Sequence, residues 1–114
     1  MKNRRQKALA LLVAAEQELA KFRERPQFTT LSQACEKTWV AMTLFIEIKS
    51  GKNIKNGATM RKEAKQLGYE GLYSRCRILH IFHYEGSVAL GFNEMAEEVE
   101  ELIPEVRREL EGGR

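Results

Sequence analysis

A chain of 114 residues, 43% hydrophobic and 31% charged, fits one folded globular domain. No stretch reaches the roughly 18 uncharged apolar residues that a membrane helix requires, and Cys35 and Cys76 have neither metal-type nor disulfide-scaffold spacing. All 16 acids are Glu, which favours helix and excludes Asp-built magnesium sites and Ser-His-Asp triads.

The N-terminal residues 1–7 are basic and an apolar run follows from Ala8 to Ala15, as in a signal peptide. Glu16 and Glu18 close that run and no Ala-x-Ala-like site follows, so the segment reads as the first helix of the mature fold, from about Arg4 to about Arg23. Its stripe is Ala8, Leu11, Leu12, Ala15, Leu19 and Phe22. Pro26 breaks it, and Thr30-Leu31-Ser32-Gln33 reads as a capping box opening a second helix over about Leu31 to Lys49. Apolar residues cover well over half of that helix's circumference. It is therefore either the central helix or one whose face meets another subunit.

Gly51 is the natural left-handed C-cap of the second helix. A short basic helix follows over roughly Thr59 to Leu67, ending at Gly68. The fourth helix covers about Tyr69 to Glu85 and stops near Gly86-Ser87. The fifth starts near Asn93 and carries a clean stripe of Met95, Ala96, Val99, Leu102, Ile103, Val106 and Leu110. Pro104 inside it predicts a kink or a split, and residues 111–114 read as a frayed tail. The expected fold is an all-α, up-and-down bundle of about five helices in a single domain, 1–114, with two buried thiols in a reducing cytoplasm.

The net charge of +3 conceals segregation. Residues 49–77 hold eight basic residues and two Glu, net +6, whereas residues 92–111 hold eight Glu and two Arg, net −6. One region could attract polyanions while another repels them, or the two could pair within or between chains. Lys49, Lys52, Lys55, Arg61, Lys62 and Lys65 form the basic cluster. They are candidates for tracking nucleic-acid phosphates, against the plainer reading of a solvated surface. Residues 55–59 could offer backbone amides to an anion.

The fourth helix carries both histidines. At about 100° per residue, Tyr73, Arg77, His80 and Tyr84 share one arc, while His83 falls among apolar residues and is expected to be a hydrogen-bonded core side chain. Imidazole can exchange protons near neutral pH, arginine can stabilise charge on a phosphoryl group, and tyrosine can stack on a base. Together these suit metal-independent phosphodiester cleavage or nucleotide binding. The competing reading is a polar helix–helix or dimer interface, with Arg77 paired to a Glu of the fifth helix. No Gly-rich phosphate loop, no Gly-x-Ser-x-Gly elbow and no His-Glu-x-x-His motif occurs, and no cofactor or metal is expected.

The segments Gln33-Ala34-Cys35-Glu36-Lys37-Thr38-Trp39, Lys49-Ser50-Gly51 and Leu79-His80-Ile81-Phe82-His83-Tyr84-Glu85 resemble those of the archaeal PaREP proteins, part of the HEPN superfamily of helical bundles. The resemblance covers about residues 8–106, and the usual family form has Asn-Phe where this chain has Phe82-His83. It implies a bundle that commonly forms a homodimer. In active HEPN members it also implies metal-independent ribonuclease action through Arg, four to six residues, then His. Others partner a nucleotidyltransferase in toxin–antitoxin pairs, and many have no established activity. Carried onto this chain, Arg75 and His80 satisfy the spacing with four residues between, and Arg77 and His83 with five. Cys76 stands where the active motif usually has a polar residue, and Arg75 and His80 lie about 140° apart on an ideal helix. The candidate catalytic residues are Arg75, Arg77, His80 and Tyr84. The candidate partners are RNA or a nucleotide, a nucleotidyltransferase, and a second copy of the chain.

Overall fold

Twenty-three residues of mostly apolar or small side chains, Phe28–Ser50, form the longest helix, and every other element packs against it. The computed structural model describes residues 3–86 and 90–112. In chain order the helices are α1 (Arg4–Glu24), α2 (Phe28–Ser50), α3 (Gly57–Gln66), α4 (Glu70–Glu85) and α5 (Phe92–Leu110). No strand occurs among the described residues, and none of the helices is long and apolar enough to cross a membrane.

The helix ends follow local chemistry. Asn3 caps α1: its side chain accepts from the Gln6 N–H (2.8 Å), and the Gln6 side chain accepts from the Asn3 N–H (3.2 Å). At the start of α2 the expected capping box is not what forms. The helix begins three residues earlier, with Gln27 as N-cap and no side-chain cap bond, and Thr30 Oγ1 donates to the Gln27 carbonyl. Packing replaces capping there, because the Phe28 ring lies 5.4 Å from Phe82 and 6.0 Å from Phe92. Gly51 ends α2 at φ 70°, as a left-handed cap. Asn56 opens α3, accepting from the Thr59 N–H.

Gly91, not Asn93, is the N-cap of α5, and the Glu94 carboxylate reaches back to accept from the Gly91 N–H (3.1 Å). Pro104 does not split α5, which runs unbroken to Leu110. Its ring sits on the exposed side, and the buried Leu102, Ile103 and Val106 hold the turns on either side against the core. One intrahelical bond to the Glu100 carbonyl is still forfeited, since proline has no N–H. Leu110 closes the helix and Glu111 and Gly112 form a turn, while Ser87 and the last two residues of the expected tail lie outside the described residues.

The core is continuous across α1, α2, α4 and α5. All seven residues of the α5 stripe are buried, as are five of the six expected on α1, Leu11 being half-buried. Each fully buried aliphatic or aromatic side chain contributes about 1.5–3 kcal/mol. The apolar girth of α2 is covered within one chain by α1, α4, α5 and α3, with Met42, Phe45 and Ile46 nearly inaccessible. It therefore does not require a second subunit, which removes the reason drawn from that helix for a dimer.

Cys35 and Cys76 are free and buried. Burial pushes both thiols up to about 12 from an ordinary 9.0. The native state therefore keeps protons that the unfolded chain releases, so stability is full below pH 9 and falls as pH rises toward 12. We expect a thiol reagent at pH 8 to label neither cysteine until urea unfolds the chain, and the urea midpoint to drop between pH 8.5 and 10.5. Rapid labelling of the folded protein would contradict the packing described.

Candidate functional site

His80 projects from α4 toward α2, where it meets one of that helix's two acids. That acid is Glu36. Its Oε1 lies 2.9 Å from His80 Nδ1, and because a carboxylate can only accept, Nδ1 carries the proton and donates it. Nε2 is left with no hydrogen bond among the described residues. The imidazole lies on the Trp39 indole (centroids 5.0 Å, planes 26° apart) and takes the edge of Tyr84 at 4.7 Å. The ring is thus clamped by a carboxylate on one edge and by aromatic groups on a face and a side. It is not sealed, for 32% of the side chain remains exposed.

The open side is a recess of about 270 Å³ between α2, α4 and the start of α3, lined by Trp39, Thr43, Lys55, Asn56, Met60 and His80. Lys55 is exposed and forms no ion pair among the described residues. Glu47 forms part of the wall, but its carboxylate accepts from the Ile54 N–H (2.9 Å) and lies 3.7 Å from the Arg4 guanidinium. This fixes the loop from which Lys55 projects. A carboxylate–imidazole pair with a free nitrogen beside an ammonium can accept or deliver a proton next to a bound anion.

The other candidates separate. Arg75 faces α5 and not His80. Its guanidinium lies 2.8 Å from Glu105, 3.3 Å from Glu101 and 3.8 Å from Glu98. Burial works to lower its pKa, but those three carboxylates outweigh it and hold the guanidinium above its ordinary range. The arginine tied to the fifth helix is therefore Arg75, while Arg77 is exposed and forms no ion pair among the described residues. Tyr73 does not share the polar arc's exposure. It is buried, 5.4 Å from Trp39, because that side of α4 turns toward α2. Tyr84 is 73% exposed, its edge against both His80 and His83. His83 is half-buried, and its Nδ1 lies 2.6 Å from Ser32 Oγ and 3.2 Å from the Ser32 carbonyl oxygen, in line with a hydrogen-bonded structural role.

The basic cluster also divides. Lys52 is neutralised by the buried Glu63 at 2.7 Å, and Lys49 lies 5.9 Å over the Phe45 ring. Lys55 joins the His80 recess, Arg61 lines a different one, and Lys62 and Lys65 are exposed on α3. A larger groove of about 370 Å³ lies between α1 and α5. Its charges are already matched across it, Glu16 to Arg107 and Arg23 to Glu100, so it offers no free group for chemistry. Sequence reasoning missed Glu36 as a site residue. The available signal was that it is the only acid between Phe28 and Ile46. No group of side chains suited to hold a metal ion occurs among the described residues.

Compared with protein-family models, with curated proteins and with solved structures, the chain matches none.

Proposed function

We propose that the protein is a HEPN-like domain of the reducing cytoplasm that engages single-stranded RNA or a nucleotide at the His80 recess. One arrangement supports the reading: an imidazole held at Nδ1 by Glu36, stacked on Trp39, with Nε2 unbonded among the described residues and Lys55 lining the same recess. On this reading the phosphate sits near Lys55 and Tyr84 offers an exposed ring for a base. Metal-independent cleavage would then run through His80. Nε2 takes the proton of the 2′-hydroxyl as that oxygen bonds to phosphorus. The bond to the 5′-oxygen breaks and that oxygen takes the proton back from Nε2, directly or through water, leaving a 2′,3′-cyclic phosphate, a 5′-hydroxyl and a neutral imidazole. Lys55 would offset the charge that develops, since Arg75 is held by α5.

The second reading is a non-catalytic helical module that binds a partner protein, such as the nucleotidyltransferase of a toxin–antitoxin pair. One observation favours it: the arginine at the four-residue spacing before His80 is fully occupied by Glu98, Glu101 and Glu105. A homodimer would reconcile the two readings if it brought an arginine of a second copy to His80.

One experiment separates them. Labelled single-stranded RNA is incubated with the protein in EDTA, beside His80→Ala, with the mass of the same sample measured by light scattering. The proposal expects salt-sensitive binding, and cyclic-phosphate ends that disappear in the variant. Neither binding nor cleavage, whether the sample is monomer or dimer, would end the RNA reading and leave the partner module.

A further inference from the structure

A second recess lies on the other flank of the α3–α4 pair, about 120 Å³ in volume and lined by Arg61, Tyr73, Ser74, Arg77, Ile78 and Ile81. We infer that it is a binding site for a single phosphate group, held by the guanidiniums of Arg61 and Arg77 and the hydroxyls of Tyr73 and Ser74. The inference rests on the RNA or nucleotide reading only for the source of that phosphate.

The polar groups of this recess are donors or neutral hydroxyls, and none is an acid. Three arginines elsewhere, Arg23, Arg75 and Arg107, each lie within 3.1 Å of a glutamate. Arg61 and Arg77, like Arg5, Arg25 and Arg108, form no ion pair among the described residues, but they alone of these line one recess together. Two cations facing one hollow repel each other, and an anion between them would remove that repulsion.

Tyr73 adds an independent sign. The residue is only 2% exposed, and its hydroxyl bonds to no described residue. No fully buried side-chain polar atom lacks a partner among the described residues, so the hydroxyl oxygen is not fully sealed, and Tyr73 lines this recess. Burial pushes the hydroxyl above its ordinary range, with Arg77 and Arg61 pulling the other way, so it remains a proton donor at neutral pH. The volume is well below the roughly 300–1,000 Å³ of small-molecule sites, which suits one compact group and leaves no room for a base and sugar. Guanidinium forks and hydroxyls approaching from two helices match a tetrahedral oxyanion. Trp39 touches both the Tyr73 and the His80 rings, so the two recesses share a wall, and a strand with one phosphate here could present its neighbour to His80.

The test uses the full chain and inorganic phosphate. Arginine side-chain N–H signals are followed by NMR at constant ionic strength, with acetate as the competing anion. Saturable shifts of Arg61 and Arg77 are expected, with Arg77→Gln weakening phosphate about tenfold and Tyr73→Phe, which keeps the packing, weakening it less. Unchanged signals, or acetate binding as tightly as phosphate, would overturn the site. A second arm compares oligoribonucleotides with and without a 5′-phosphate, on the wild type and on Arg61→Gln/Arg77→Gln. Phosphate binding here with no affinity for either RNA keeps the site and rejects the RNA reading. RNA affinity unaltered in the double variant, with no phosphate shifts, keeps that reading and rejects the site.

Discussion

Phe45→Ala is expected to lower the unfolding free energy by about 3–5 kcal/mol. The ring is 1% exposed on the middle of α2 and meets the edge of Tyr69 at 4.8 Å. Because α2 is flanked by α1, α4, α5 and α3, no helix can close the resulting cavity without withdrawing from another. Domains of this kind are stable by about 5–15 kcal/mol, so the variant loses at least about a fifth of the total. Urea denaturation at 25 °C measures it, with Val13→Ala as control. Val13 is 49% exposed on α1, and its truncation should stay within about 0.5 kcal/mol. Equal small losses in both would mean that α2 is not the central helix.

The second large effect concerns the Glu36–His80 pair. His80→Ala should lower any metal-independent RNA cleavage by about 10²–10⁴-fold, the range for a positioned acid–base group. Glu36→Gln should lower it by about a hundredfold while leaving RNA affinity unchanged. The amide oxygen of Gln can still accept from Nδ1–H, so the ring stays oriented against Trp39. What disappears is the negative charge that stabilises the imidazolium formed when Nε2 takes a proton. Single-turnover rates and a separate binding titration distinguish the two effects. An undiminished rate in a folded Glu36→Gln variant would show that the carboxylate only positions the ring. If the wild type binds RNA without cutting it, the acid–base role is rejected and the recess is a binding site alone.

What could be read in the sequence was whatever repeats along one helix. The α5 stripe from Met95 to Leu110 is buried as its spacing predicts, and the glycine at position 51 takes the left-handed cap. Features that depend on which helix lies opposite were not readable. Periodicity puts Arg75 and Arg77 on α4 but does not say that Arg75 meets three glutamates of α5 while Arg77 lines a recess with Arg61. Likewise, Glu36 and His80 are 44 positions apart, and nothing local links them. The α2 start was misplaced because an aromatic cluster of Phe28, Phe82 and Phe92 outweighed a plausible hydroxyl cap. Pro104 was overrated as a helix breaker because core contacts on both sides of it outweigh one missing bond.

The segregation of charge has a consequence for encounters in solution. The helix with seven carboxylates, α5, makes no packing contact with α3, while α3 and the loop before it carry Lys55, Arg61, Lys62 and Lys65. The acidic surface of α5 is therefore not neutralised by direct contact with these cations. If the protein engages RNA as proposed, the strand would be drawn to the cations around α3 and repelled along α5. Association should be fast in dilute buffer and slow steeply as ions shorten the field to roughly 8–10 Å.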